Sequence, residues 1–90
     1  MSEFNDLLQD QLKDPEFKRE WDELQPEREL MNAIIKARTE TGLTQKELSE
    51  RTGIQQSNLS RIEQGNYNPS LKLLQRIARG LGKELHIEFR

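Results

Sequence analysis

A chain of 90 residues with 32% hydrophobic and 33% charged side chains can bury one modest core and is too small for a large catalytic cleft. It has no cysteine, which excludes disulfides and thiolate metal sites and fits a reducing cytoplasm. The longest apolar runs are a few residues, so no membrane-spanning helix is expected, and the first twenty residues lack a secretory pattern.

The net charge of −2 conceals an uneven distribution along the chain. Residues 1–30 hold ten acidic and four basic side chains, whereas residues 31–90 hold ten basic and six acidic ones, so the two net charges are −6 and +4. Basic regions favour nucleic acid and acidic regions favour basic partners. We therefore expect two different partners, although two ordinary solvated surfaces would give the same bias.

The first predicted element is a weak helix over residues 1–13. Phe4, Leu8 and Leu12 recur every four residues, with Leu7 beside them, which gives a helical apolar stripe. The segment has neither a cap nor a glycine stop, so by itself it is also compatible with disorder.

A second predicted helix has a clear start. Asp14 can cap it, and Pro15 suits the first helical position because its missing N–H would be unpaired there anyway. Phe17, Trp21 and Leu24 then share one apolar face.

Gln25-Pro26 should end that helix, because the residue before a proline is disfavoured in the helical region. Further helices are predicted over residues 26–41, 44–52, 56–64 and 70–81. Thr44 and Glu47 form a capping box, and Ser70 is expected to cap the last helix. That helix should turn five side chains inward: Leu71, Leu74, Ile77, Ala78 and Leu81.

The last residues alternate apolar and polar side chains, which predicts a short strand over residues 84–89. Leu85, Ile87 and Phe89 would share one face of it. A lone strand cannot satisfy its own backbone groups. We therefore expect it to pair with a second copy in a homodimer, with these three residues at the contact, or with a partner's sheet.

Residues 45–64 predict a helix-turn-helix. Gly53 stands at the ninth place, between two short helices, and the apolar positions Leu48, Ile54, Leu59 and Ile62 can lock these helices together. The second helix turns polar side chains outward. Glutamine offers a donor and an acceptor that match adenine, and arginine offers a fork that matches guanine. The predicted DNA-binding residues are Gln45, Gln55, Gln56, Ser57, Ser60, Arg61 and Gln64.

An enzyme is disfavoured. The sequence shows no nucleophile–base pair, no phosphate-binding glycine loop and no metal cluster, and His86 is the single histidine. We predict no catalytic residues, no cofactor and no metal site.

The chain resembles the Cro/phage-repressor (XRE) helix-turn-helix family over about residues 28–83. The resemblance is carried by GLTQKELSERTGIQQSNLSRIEQG, followed by NPSLKLLQRIARGLG. It implies a mainly α, lambda-repressor-like bundle, here with an N-terminal extension helix and the short C-terminal β-strand in place of the family's fifth helix. It also implies a DNA-contacting glutamine at Gln45, DNA contacts from residues 55–61, and a structural ion pair between Arg38 and Glu63.

A finer resemblance is to HigA-type antitoxins, carried by DPEFKREWDELQPERELMNAIIKAR and the terminal LHIEF. It implies a cytoplasmic protein at the bacterial nucleoid that binds a palindromic operator and neutralises a small basic RelE/HigB-like toxin. Residues 1–25 would bind the toxin, residues 26–83 the DNA, and residues 84–90 a second copy. The predicted toxin-binding residues are Phe4, Leu8, Phe17, Trp21 and Leu24.

The sequence also permits alternatives to toxin binding and to DNA binding. Phe17, Trp21 and Leu24 would share a face equally well if they packed on the chain's own core. The protein would then be a stand-alone XRE regulator, or an interaction module that keeps the helix-turn-helix shape without affinity for DNA.

Overall fold

The computed structural model describes residues 2–90, which form six α-helices and, within that range, no β-strand. The helices are α1 Ser2–Gln11, α2 Pro15–Glu23, α3 Gln25–Glu40, α4 Gln45–Thr52, α5 Gln56–Glu63 and α6 Leu71–Gly80. Between Ser2 and Arg90, no helix combines the length and the apolar character needed to cross a membrane.

Three helix starts are set by local hydrogen bonds, as predicted. The Asp14 side chain accepts from a backbone N–H in the first turn of α2, and the Ser70 side chain does the same for α6. At α4, the Glu47 N–H donates to Thr44 Oγ1 and the Thr44 N–H donates to the Glu47 carboxylate, each over 3.0 Å. Such caps satisfy backbone donors that a helix leaves unpaired, so short sequence patterns suffice to place them.

The hydrophobic core lies between α3, α4, α5 and α6. Leu48 of α4 and Leu59 of α5 are 0% exposed, while Ile62 and Ile77 are nearly so. Burying each such side chain contributes about 1.5–3 kcal/mol. Because α4 and α5 are eight residues each, too short to be stable alone, this packing is what holds them. The buried core residues are Ile34, Leu43, Leu48, Ile54, Leu59, Ile62, Ile77 and Leu81.

Two predicted details of the helices are wrong. The break between α2 and α3 falls at Leu24, one residue before the predicted position, and Gln25 is already helical with Pro26 in the first turn of α3. Leu71 is 54% exposed and does not face the core. It precedes Ile77 by six residues, which places it about 120° around the helix from that buried side chain.

The predicted C-terminal strand is also wrong. Residues 83–90 follow α6 without regular structure. Leu85 is half-buried and lines a groove between α3 and α6, whereas Ile87 is 58% and Phe89 98% exposed. An alternating pattern becomes a strand only when a neighbouring strand pairs its backbone. Residues 2–82 are helices and connections, so they offer no sheet edge to the tail.

Candidate nucleic-acid interface

The angle between α4 and α5 is set by a turn around Gly53. This glycine adopts φ +74°, a conformation that side-chain-bearing residues rarely accept. Ile54 follows it and is 5% exposed, so its side chain fills the corner between the two helices. The Ile54 N–H donates to Thr52 Oγ1 over 3.2 Å, and its carbonyl accepts from the Ser49 hydroxyl. The turn is therefore held by both packing and hydrogen bonds.

The outer face of α5 carries hydrogen-bonding side chains only. Gln55, Gln56 and Ser57 are exposed where the helix begins, and Arg61 is exposed one turn later. On the opposite face, Leu59 and Ile62 are buried. The helix is thus anchored from behind while its amide and guanidinium groups face solvent.

Two other predicted DNA-binding residues lie on the same helix or at its end. Ser60 is half-buried and Gln64 is exposed, and the Gln64 Nε2 donates to Ser60 Oγ over 3.2 Å. The structure thus brings all the predicted residues from position 55 to 64 onto α5 and its two caps. Their contact with DNA stays a prediction.

Gln45, at the start of α4, is engaged with its own chain. Its Nε2 donates to Glu63 Oε1 over 3.0 Å, and the residue is half-buried. A glutamine amide has two N–H donors, so the second one, with the backbone N–H at the helix start, remains for a phosphate oxygen. The sequence pattern gave no signal of this link between α4 and α5.

Glu63 also pairs with Arg38 of α3. Arg38 Nε lies 2.8 Å from Glu63 Oε2 and Nη2 lies 2.9 Å from Oε1, a two-pronged contact, and Nη1 donates to the Leu43 carbonyl. The Glu63 side chain is 6% exposed and that of Arg38 16%. The ion pair and the Gln45 bond together tie α3, the start of α4 and the end of α5 into one network.

The contacts within this network keep both Glu63 and Arg38 ionised. Burial by itself would raise the pKa of Glu63, but the hydrogen bonds from Arg38 and Gln45, with the Arg38 charge, outweigh burial and lower this pKa. The hydrogen bond to Glu63 raises the pKa of Arg38 in turn. Both groups are therefore ionised at neutral pH, and the pair is a fixed brace behind the polar face of α5.

The N-terminal helices present a second, apolar surface. Phe4 is 67% exposed, Leu7 58% and Leu24 50%, while Leu8 is half-buried. No side chain from Glu3 to Leu24 is fully buried. The folded core therefore does not use these side chains, and their contact with a toxin stays a prediction.

Phe17 and Trp21 differ from these residues because they pack on their own chain. Their rings stack with centroids 6.4 Å apart. The Arg28 guanidinium lies 3.6 Å from the Trp21 ring centroid, and its Nη1 donates to the Trp21 carbonyl over 2.7 Å. Arg28 was not among the predicted site residues, because its contact with Trp21 depends on the turn between α2 and α3.

The sequence is similar to a known protein family and to proteins named as transcriptional regulators. A helix-turn-helix family model matches residues 34–87, more than half of the chain. An uncharacterized HTH-type transcriptional regulator of Methanothermobacter thermautotrophicus is 55% identical over 59 residues, 64% of this chain and 84% of that protein. A second such regulator, from Haemophilus influenzae, is 38% identical over 58 residues, 64% of this chain and 59% of that protein.

A different kind of relative covers more of the chain. The antitoxin HigA1 of Mycobacterium tuberculosis is 35% identical over 74 residues, 82% of this chain. The chain spans 50% of the length of that protein. No solved structure matches at a significant level.

Proposed function

Since the chain belongs to the XRE-type helix-turn-helix family of DNA-binding transcriptional regulators, we propose that it is the antitoxin of a type II toxin–antitoxin pair. In this role it represses its own operon through α5. Its N-terminal segment, residues 2–25, binds and neutralises a small, basic RelE/HigB-like toxin that cleaves mRNA.

The DNA-binding half of the proposal is carried by the exposed polar face of α5. Gln56 and Arg61 are exposed on a helix whose other face is fully buried, so the helix can enter the major groove without disturbing the core. Their side chains offer the hydrogen-bond patterns that match adenine and guanine. Gln45, at the start of α4, would add a phosphate contact that fixes the register.

A palindromic operator requires two copies, so the proposal includes a homodimer. Its half-sites would lie about 34 Å apart, one turn of the double helix, or a small multiple of that distance. Apolar side chains of the C-terminal tail, Leu85, Ile87 and Phe89, would contribute to the contact between the two copies.

Alanine variants on α5 test the DNA contact. Gln56→Ala and Arg61→Ala should each weaken binding to the protein's own promoter DNA by about 1–3 kcal/mol, because each removes contacts to a base edge. Gel shifts measure the affinity, and circular dichroism checks folding. Gln75→Ala, which removes an exposed amide on α6, is the matched control. Wild-type affinity in both α5 variants would rule out this role for the helix.

The toxin-binding half is supported by charge, exposure and relationship. Residues 1–30 carry a net charge of −6, which suits a basic partner. Phe4, Leu7 and Leu24 supply exposed apolar anchors beside those acids. An alignment with HigA1 that covers 74 of the 90 residues also has to reach into residues 1–25.

Truncation separates the two halves of the proposal. Deleting residues 2–25 removes α1 and α2 but none of the buried core, so operator binding should persist while rescue of cells from the co-expressed toxin is lost. The variant Phe4→Ser/Leu7→Ser should have the same effect in the full chain. If cells carrying the truncated chain still survived the toxin, the N-terminal segment would not be the antitoxin element.

The alternative is a stand-alone XRE-family transcriptional regulator without a toxin partner. It is favoured by the relative with 55% identity, which is named as a transcriptional regulator and aligns over 59 residues. The neighbouring reading frames discriminate between the two functions. A small basic protein encoded next to this chain supports the antitoxin, whereas its absence supports the stand-alone regulator.

A further inference from the structure

An open cleft of about 440 Å³ lies where the C-terminal ends of α4 and α6 meet, and three arginines line it. These are Arg51, Arg76 and Arg79, and all three are exposed. Among the ion pairs of residues 2–90, none involves any of them. The cleft therefore concentrates positive charge that the described part of the chain leaves without a carboxylate partner in contact.

The packing of α4 against α6 brings these arginines together. Gly80 lies so close to Thr52 and Leu48 that a β-carbon there would collide with the Thr52 side chain. The close approach places Arg51 and Arg79, from different helices, on the walls of one cleft. Helix–helix contact thus builds the cluster, which no spacing in the sequence reveals.

Two of the guanidinium groups are held in place by backbone carbonyls at the helix ends. Arg76 Nη2 donates to the Thr52 carbonyl over 2.7 Å, and Arg51 Nη1 donates to the Gly80 carbonyl over 3.3 Å. A guanidinium carries five N–H donors in a rigid fork. One donor of each group makes these bonds, so the remaining donors can bind an anion such as a phosphate, which accepts from such forks in pairs.

The position of the cleft indicates which anion it binds. A β-carbon on Gly53 would lie 3.2 Å from Arg76 Nη2, so the Arg76 guanidinium sits over the turn between α4 and α5. Gln55, two residues later, is the N-cap of α5. The positive cleft therefore adjoins the beginning of the helix that we assign to the major groove.

We propose that Arg51, Arg76 and Arg79 bind a backbone phosphate of the DNA that flanks the base pairs read by α5. This inference rests on the proposed DNA contact of α5 and extends it by a second point of attachment. Phosphate contacts carry no sequence information but fix orientation and raise affinity in proportion to the counterions they release. The cleft would add salt-dependent affinity without changing the preferred bases.

The test measures how DNA affinity depends on salt. The full chain is titrated by fluorescence anisotropy against a labelled 30-base-pair duplex from its own promoter, at salt concentrations from 50 to 200 mM. Arg51→Gln/Arg79→Gln should make the slope of log affinity against log salt less steep by about 0.9, the contribution of one phosphate, and Arg79→Gln by part of that amount. Arg51→Lys/Arg79→Lys, which keeps the charge, should restore most of the slope.

Two control variants are measured beside the arginine variants of the cleft. Lys36→Gln removes a cation that is 77% exposed on α3, and it should leave the slope unchanged. Arg61→Gln should reduce affinity through α5. The Arg79 side chain makes no hydrogen bond within residues 2–90, so its single variant should preserve the fold even if the double variant is destabilised.

The outcomes separate this inference from the proposed function. If Arg61→Gln weakened binding but Arg79→Gln left the slope unchanged, the phosphate site would be overturned and the role of α5 would stand. If the slope stayed unchanged but the arginine variants lost self-association, the cleft would bind the acidic segment of a second copy instead. If the wild-type chain bound no promoter DNA, the proposed function itself would fail.

Discussion

The N-terminal segment, residues 2–25, and the helix-turn-helix region, residues 26–82, use apolar residues in opposite ways. All eight buried hydrophobic side chains lie in the second region, between Ile34 and Leu81. The first region has comparable apolar side chains, yet Phe4, Leu7 and Leu24 remain half or more exposed. The second region buries its apolar surface in the fold, whereas these side chains of the first region stay exposed to solvent.

The charged pairs of the two regions differ in the same way. In α2, Lys18 and Asp22 lie 2.9 Å apart but remain 58% and 53% exposed, so solvent screens their attraction. Such a helical surface pair contributes about 0.3–0.5 kcal/mol. The Arg38–Glu63 pair is short as well, but it is mostly buried and braces three helices. Burial and shared hydrogen bonds, more than distance, distinguish a structural pair from a surface pair.

The variant with the largest expected effect on the free energy of unfolding tests which of the two regions contains the stabilising core. Leu59→Ala should lower the free energy of unfolding by about 2–5 kcal/mol, because it leaves a cavity in a fully buried site. Leu7→Ala removes the same atoms from an exposed site of α1 and should change the free energy of unfolding by less than about 0.5 kcal/mol. Urea denaturation measures both. Equal losses would show that the N-terminal segment belongs to the same core.

A smaller effect is expected when the buried pair is broken. Glu63→Gln should cost about 1–3 kcal/mol at pH 7, because the partly buried Arg38 charge loses its counter-charge. The exposed Glu20→Gln of α2 is the matched control and should cost less than about 0.5 kcal/mol.

The pH dependence of that variant has a defined sign. In the folded state the pKa of Glu63 lies below its ordinary value of 4.5, so its stabilisation is complete above that value and disappears as pH falls through the lowered pKa. The difference between wild-type and Glu63→Gln should therefore shrink when urea denaturation is repeated from pH 5 towards pH 3. A difference that did not change with pH would contradict the role of the ionised carboxylate.

The smallest expected effect concerns the junction of the two regions. Arg28→Ala removes the guanidinium that covers Trp21 and should loosen α2 from α3 at a cost of about 0.5–1 kcal/mol. Trp21 is the single tryptophan, so its fluorescence reports the junction directly and should shift to the red. Arg19→Ala, at an exposed position of α2, is the control. An unchanged spectrum in Arg28→Ala would mean that the stack does not hold the segment.

Features determined by neighbouring residues were predictable from the sequence. The capping box of Thr44 and Glu47, the cap at Asp14 and the turn at Gly53 each depend on residues a few positions apart. The polar face of α5 also follows from a helical period within eight residues. These signals sufficed to predict the helix-turn-helix and its family.

Features that depend on distant or absent partners were not predictable from local patterns, and the Arg38–Glu63 pair followed only from the family resemblance. The alternating pattern of residues 84–89 indicated a strand, but a strand needs a neighbouring edge, and residues 2–82 provide none. The apolar stripe of α6 predicts that Leu71 faces inward. In the structure Leu71 is exposed, because the side of α6 that carries Ile77 packs on the core and Leu71 lies on another side.

The sequence by itself determined where α2, α4 and α6 begin, which helices form the helix-turn-helix and which end of the chain is acidic, because caps, periodicity and charge are local properties. Only the tertiary structure decided that Gln45 is bound to Glu63, that Arg28 covers Trp21 and that arginines from α4 and α6 share one cleft. These contacts depend on the angles at which helices pack, and such angles are set by side-chain fit across the whole core.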